Sequence, residues 1–262
     1  MFQRRNIMTN IVVLAKLVPD LVEELEIADD GKALDMEWMR LLINEFDNHA
    51  IEQAIILKER DGGNVTVISP DAEGVDDMLF TTAAKGADQL IKLTGDFESA
   101  PNNHALAKAF AATIKDIQPD LILTGVQANN DLDGAIAPLV AEELGMPYVG
   151  YVSGVTVEGE SVTALKEYPG GLLAEVGIKL PAVLGIQAGE QPPRYVAISK
   201  VRQMMKTASI AEHEIPELVG GGDVPVNRMY LPEAAERAEM IEGDEEEIAA
   251  KLVEIFQEIG VM

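Results

Sequence analysis

The 262-residue chain has no cysteine. Disulfides, thiolate metal sites, a cysteine nucleophile and iron–sulfur ligation are therefore excluded. Histidine is scarce as well: His49, His104 and His213 are scattered, and each reads as a surface or core imidazole rather than part of a metal cluster. Positive charge is thin, 20 Lys+Arg against 45 Asp+Glu, giving a net charge of -25. Nucleic acid and anionic membrane surfaces are thus disfavoured as partners, because their phosphates would be repelled. Such an acidic chain steers instead towards basic patches on proteins. Long apolar runs are also missing. The basic opening "MFQRRNIMTN" leads into "IVVLAKLV", which Lys16 interrupts and Pro19 ends. That run is too short to span a membrane, and no signal-peptide cleavage pattern follows it. Met8 is a candidate start, with residues 1–7 as upstream read-through, and the expected location is cytoplasmic.

Several nucleotide and hydrolase motifs are absent too. There is no G-x-x-x-x-G-K-[ST], no G-x-G-x-x-G after the first strand, and no G-x-S-x-G elbow. The stretch "AKLVPD" lacks the Ser-Gly-Gly-rich loop of ATP pyrophosphatases.

What is present is alternation. Hydrophobic residues make up 47% and charged residues 25%, a mix suited to one sizeable globular core. "NIVVLAKLV", "NVTVIS", "QLIKLT" and "DLILTG" read as strands, apolar nearly throughout, as when helices cover both faces of a parallel sheet. Between them lie helical patterns. "DNHAIEQAIILKERDGG" has Asp47 placed as its N-cap and Gly62-Gly63 as its stop, "GVDDMLFTTAAKGAD" ends at Gly86, and "NNHALAKAFAATIKDIQ" is closed by Pro119. The fold class is α/β: a doubly wound, mostly parallel, Rossmann-like sheet. From about residue 150 the pattern alternates around Glu158-Gly159 and Gly170-Gly171, so 150–190 is expected to form antiparallel hairpins. A break, "VGGGDVP", precedes an acidic end in which Asp244 caps a final helix. Its apolar stripe is Ile248, Leu252, Ile255 and Ile259. The division is an α/β domain over 8–215, with a partner loop at 190–207, followed by an acidic extension and helix over 216–262.

Sheets of this type bind ligands outside the carboxyl ends of their strands. The stretch "LILTGVQANNDLDGAIAPLVAEELG" (121–145) passes from strand through a polar turn into a helix. Small residues and backbone N–H groups beside a helix start make Gly125 to Gly134 a phosphate seat. Asp131 and Asp133 then cap the following helix or bond ribose hydroxyls. A plain strand–helix joint, or a divalent cation on the two aspartates, remain alternatives at this point.

Several stretches resemble the beta subunit of electron-transfer flavoproteins, in its bacterial form. They are "IVVLAKLVPD", "INEFDNHAIEQAIILKE", "KGADQLIKL", "TGVQANNDLDG", "LKEYPGGLLAEVGIKLPAVLGI", "PPRYVAI" and "IEGDEEEIAAKLVEIFQEIG". The resemblance covers nearly the whole chain from residue 10. It implies an electron carrier rather than an enzyme, in a heterodimer whose alpha subunit holds most of a redox-active FAD. The beta subunit adds part of the wall and buries an AMP, or a second FAD in members that bifurcate electrons. Acyl-CoA or other dehydrogenases and a quinone-linked acceptor are the implied redox partners.

Residue by residue, the resemblance puts Leu14 at the adenine side of the nucleotide. Asn44, Glu45, Phe46 and Asp47 line the same pocket, and Pro70 ends the second strand beside it. The phosphate and ribose loop is Gly125, Gln127, Ala128, Asn129, Asn130, Asp131, Asp133, Gly134, Ala135, Ile136 and Ala137. In the partner loop, Ile198 takes the position of a leucine that anchors dehydrogenases, with Arg194 and Tyr195 beside it. Its plain alternative is a core residue. Three departures stand out: "AIA" (135–137) where the family has Gln-Thr-Gly or Gln-Val-Gly, Glu45 for a proline, and Pro169 for an acidic residue. They leave the nucleotide open among AMP, FAD and none. A free-standing nucleotide-binding protein of the universal-stress type and a nucleotide-free structural subunit are the competing readings.

Overall fold

A computed structural model of the chain describes residues 9–95, 102–215, 225–232, 238 and 240–261. The candidate start at Met8 and most of the "VGGGDVP" break lie outside them. A nine-stranded sheet forms the centre, in the order β11-β5-β4-β1-β6-β10-β7-β8-β9. Its strands are β1 (Thr9–Leu14), β4 (Gly63–Pro70), β5 (Gln89–Thr94), β6 (Leu121–Gly125), β7 (Tyr148–Glu158), β8 (Ser161–Tyr168), β9 (Leu172–Lys179), β10 (Ala182–Ile186) and β11 (Ile210–Glu214). All pairings from β11 to β7 are parallel, and those of β8 with β7 and β9 are antiparallel. A separate ribbon pairs β2 (Leu17–Pro19) with β3 (Leu41–Ile43).

Side-chain alternation sorts each central strand between two cores. Ile11, Val13, Leu121 and Leu123 enter one, beneath α1 (Glu45–Asp61) and α2 (Val75–Lys85). Val12, Leu14 and Ile122 enter the other, beneath α3 (Asn103–Ile117) and α4 (Ile136–Leu144). Both faces of these strands are covered, which is why their sequences are apolar without a break. The chain runs from β1 outward to β4 and β5, then returns to place β6 on β1's other side. The carboxyl ends of β1 and β6 therefore flank the topological switch point.

The antiparallel expectation for 150–190 holds for the hairpins of β7, β8 and β9, whose turns fall at residues 159–160 and 169–171. It fails for Ala182–Ile186. That run inserts between β6 and β7 as a parallel, fully buried central strand. A strand wanted on both faces shows no alternation, and "AVLGI" has none.

Beyond β10 the chain crosses back over α1 before α5 (Ile198–Thr207). Arg194 fixes this crossing. Its backbone N–H donates to Glu52 Oε2 (2.9 Å) and its Nε to Glu52 Oε1 (2.8 Å), while Nη1 and Nη2 fork onto Glu59 (2.6 and 3.0 Å). Glu52 and Glu59 are seven residues apart and so share one face of α1. Glu59's carboxyl is held below its usual range, chiefly by the Arg194 hydrogen bond. Arg194→Ala would strand the buried Glu52 carboxylate. A loss of about 3 kcal/mol is expected, at the low end for a broken buried pair because the Lys85 charge remains close to Glu52. Arg194→Lys should recover only part of it, since an ammonium cannot fork onto both carboxylates. Urea denaturation of the three forms measures this.

Candidate nucleotide site and partner loop

The crevice between β1 and β6 is held by one carboxylate. Asp47, in the first turn of α1, accepts the N–H of Lys16 on Oδ2 (3.0 Å) and that of Gly125 on Oδ1 (2.8 Å). It thus ties together the two strand ends. The N-cap of α1 is Asn44, not Asp47 as the sequence pattern suggests. The helix begins earlier because the chain turns directly from β3 at Ile43. Asn44 uses its side chain elsewhere, donating from Nδ2 to the Gln127 carbonyl (2.9 Å). Gly125 is needed for closeness rather than for conformation. A Cβ there would lie 2.5 Å from Asp47 Oδ1 and 2.7 Å from Phe46 Cβ. Burial pushes the Asp47 carboxyl up to about 6, outweighing the N–H donors and the Lys16 charge that pull it down.

The turn after β6 folds back onto this joint. Lys16 Nζ pairs with Asp131 Oδ1 at 2.7 Å, both side chains about nine-tenths buried. The same oxygen accepts Asn103 Nδ2 (2.7 Å), and Asp131 Oδ2 accepts the Ala128 N–H (2.8 Å). Asp133 Oδ1 accepts the Asn103 N–H (3.1 Å), and its Oδ2 is buried without a hydrogen-bond partner. Neither aspartate caps α4, whose N-cap is Ala135 with no side-chain bond. They serve the loop and the start of α3 instead, because α3 lies closer to the turn than sequence order implies.

The pocket at this place is lined by Leu14, Asn44, Asp47, Gly125, Gln127, Ala128, Asp131 and Ile136, all sequence candidates. Ala15, Lys16, Phe110 and Thr124 complete it and were not anticipated. Lys16 reads in the sequence as an interruption of an apolar run and as part of the family-like opening strand, with no site role, and Phe110 as one more residue of α3. The other candidates surround the wall. Glu45 and Asn130 are exposed, and Phe46 packs at Gly125. Pro70 ends β4, one strand further out. Asn129 Nδ2 donates to the Pro19 carbonyl (3.2 Å), and Ala137 is buried in the first turn of α4. Gly134 has φ 128°, and its carbonyl accepts Asn103 Nδ2 (2.6 Å). A Cβ on it would meet only Leu139 at 3.6 Å, so backbone conformation and not crowding calls for glycine there.

The donor chemistry suits an anion: one ammonium, one carboxamide and a backbone N–H converge. The space does not suit a nucleotide in this arrangement. This half-open pocket offers only about 10 Å³, room for roughly one water.

The partner loop divides into a tied part and a free part. Arg194 is engaged with α1, as described above. Tyr195 and Ile198 project outward, 86% and 65% exposed, so the core alternative for Ile198 does not hold. Ile198 opens α5, none of whose residues is buried.

Because the folded-state pKa of Asp47 lies above its unfolded value, folded chain binds more protons than unfolded chain between about pH 4 and 6. Its contribution is therefore most favourable below pH 4 and declines as pH rises to about 6, by about 3 kcal/mol. Relative to Asp47→Asn, the unaltered chain should lose stability across that window and keep a constant difference above it. Denaturation curves at pH 4, 5, 6 and 7 on both proteins measure the slope.

The electron transfer flavoprotein domain family matches residues 40–218. The beta subunit of the electron transfer flavoprotein of Methylophilus methylotrophus is 32% identical over 95% of this chain and 98% of its own. That of Clostridium acetobutylicum is 30% identical over 95% and 98%, and that of Bacillus subtilis 28% over 95% and 97%. Full-length similarity at this level, on a sheet whose switch point carries the expected loop, means that the chain belongs to the electron transfer flavoprotein beta subunit family.

Proposed function

We infer that the chain binds an adenine nucleotide, AMP or FAD, at the β1–β6 crevice, and pairs with an alpha subunit that carries the redox-active FAD. The observation behind this is the convergence of Lys16, Asn103 and the Ala128 N–H on one anion position at the switch point. The bound flavin supplies the electron chemistry. This chain's own residues bind and orient: Leu14, Ile136 and Phe110 give an apolar wall, Lys16 and Asn103 the polar contacts, and Asp47 the fixed distance between strand ends. The body, 8–215, holds the nucleotide. The acidic extension, 216–262, reaches for the alpha subunit. In its helix α6 (Glu245–Glu258) no residue is buried, and Val253 and Phe256 are 41% and 39% exposed. Ile198 and Tyr195 meet the dehydrogenase, an acyl-CoA or other enzyme, and a quinone-linked acceptor takes the electrons onward. No helix among the described residues is long and apolar enough to cross a membrane.

A nucleotide-free structural subunit is the second reading, and the small pocket volume favours it. The universal-stress alternative fits poorly with relatives matched over 95% of the chain.

Co-expressed with a flavin-bearing alpha subunit, the chain should form a heterodimer. Alone it should be flavin-free. Mass spectrometry of nucleotides released on denaturation should find, per heterodimer, one FAD with one AMP, or two FADs. A single FAD without AMP supports the structural-subunit reading.

Ile198→Ala should slow electron delivery between the heterodimer and its dehydrogenase, with a cost of about 1–3 kcal/mol in the affinity of the two proteins. Flavin content and melting temperature should stay unchanged, because the side chain is exposed in the free chain. Steady-state transfer assays with varied dehydrogenase read the effect.

A further inference from the structure

We propose that the anion seat of the nucleotide site is filled by the protein's own Asp131, and that a ligand phosphoryl group must displace this carboxylate to bind. The proposal rests on the nucleotide reading of the β1–β6 crevice and adds how that site is gated. Asp131 holds three donors from three parts of the fold: Lys16 Nζ just past β1 (2.7 Å), Asn103 Nδ2 at the start of α3 (2.7 Å), and the Ala128 N–H in its own loop (2.8 Å). An ammonium, an amide and a backbone N–H around two oxygens are what a phosphoryl group recruits. Asn103 is also the first residue of α3, so the seat lies at the positive end of that helix.

Space and charge point the same way. With Asp131 in place the half-open pocket offers only about 10 Å³, whereas a site for a molecule of nucleotide size needs on the order of 300 Å³ or more. Lys16 is the sole cation among the lining residues, Asp131 neutralises it, and the Asp47 carboxyl lines the same pocket. A phosphate dianion entering that surrounding meets no net positive charge. Once Asp131 swings away, Lys16 and Asn103 face the ligand. The loop also has room for improvement as it stands, since Asp133 Oδ2 is buried without a partner. A burial of that kind is unfavourable, and a rearranged loop or a ligand hydroxyl relieves it.

The test is calorimetric titration of the dialysed full-length chain, in its heterodimer, with AMP and separately with inorganic phosphate. Asp131→Ala should bind AMP at least tenfold more tightly than the unaltered protein. Without ligand it should melt at a lower temperature, and AMP should restore the difference. Asp131→Asn, which keeps the size and an acceptor for the Ala128 N–H, should show the same direction and guards against a folding failure of the alanine form. Adding Lys16→Gln to Asp131→Ala should abolish the gain. A matching gain for inorganic phosphate supports the proposal with the phosphoryl group alone as the displacing ligand. A gain confined to AMP supports it with the nucleotide as that ligand. Unchanged or weaker AMP binding in both Asp131 variants overturns the displacement idea while leaving the nucleotide site intact. No AMP binding by any form overturns both.

Discussion

One buried carboxylate sets the geometry on which the rest depends. Asp47 holds the N–H groups of Lys16 and Gly125, and so fixes how far the ends of β1 and β6 splay at the switch point. Burying a carboxylate is costly, and two N–H donors offset the cost only in part, which is why burial wins in setting its proton affinity. The surroundings are shaped to keep it. Gly125 has no side chain, so α1 can close on the strand end, and Phe46 fills the space beside it. Lys16, turned at its backbone by Asp47, then extends its side chain over the crevice to Asp131. The loop's position is thus a consequence of a bond made on the other side of the joint.

Much of this fold could be read in the sequence because the central strands are apolar on both faces and the helices between them have clear stops. The parallel half, α2 with its end at Gly86, α3 before Pro119 and the Asp244 cap of α6 all stand where the pattern puts them. Three features escaped, the first being β11, a parallel edge strand in a stretch that reads as irregular. The strand β10 follows two hairpins with no helix before it, so local alternation assigned it to the hairpin region, although its own five residues do not alternate. The ribbon of β2 and β3 consists of three-residue strands, too short for any period to register.

The site was legible in outline and not in its contacts. A glycine at a strand end and a polar turn mark a crevice, and eight lining residues follow from that and from the family pattern. Lys16 did not, because a lysine inside an apolar run reads as a break in a strand rather than as a group aimed at a partner 115 residues away. Asp131 and Asp133 looked like caps for α4 by sequence distance. In three dimensions α3 comes nearer, and Asn103 donates a hydrogen bond to each of them. Sequence proximity orders helices along the chain, whereas the doubly wound sheet orders them by side.

The partner loop shows why a segment can be firmly placed yet available. Arg194 directs its backbone N–H, Nε, Nη1 and Nη2 toward α1, with the buried Glu52 on one side and Glu59 on the other. Four positions later Ile198 stands free at the start of α5. Had Arg194 faced outward, the loop would lack its anchor, and ordering it on contact with another protein would consume part of the binding energy. Tied as it is, the exposed isoleucine is presented with little entropy left to lose. In the proposed docking, the acidic surface of a chain with charge -25 would bring a basic partner close, and the apolar contact would set how long it stays.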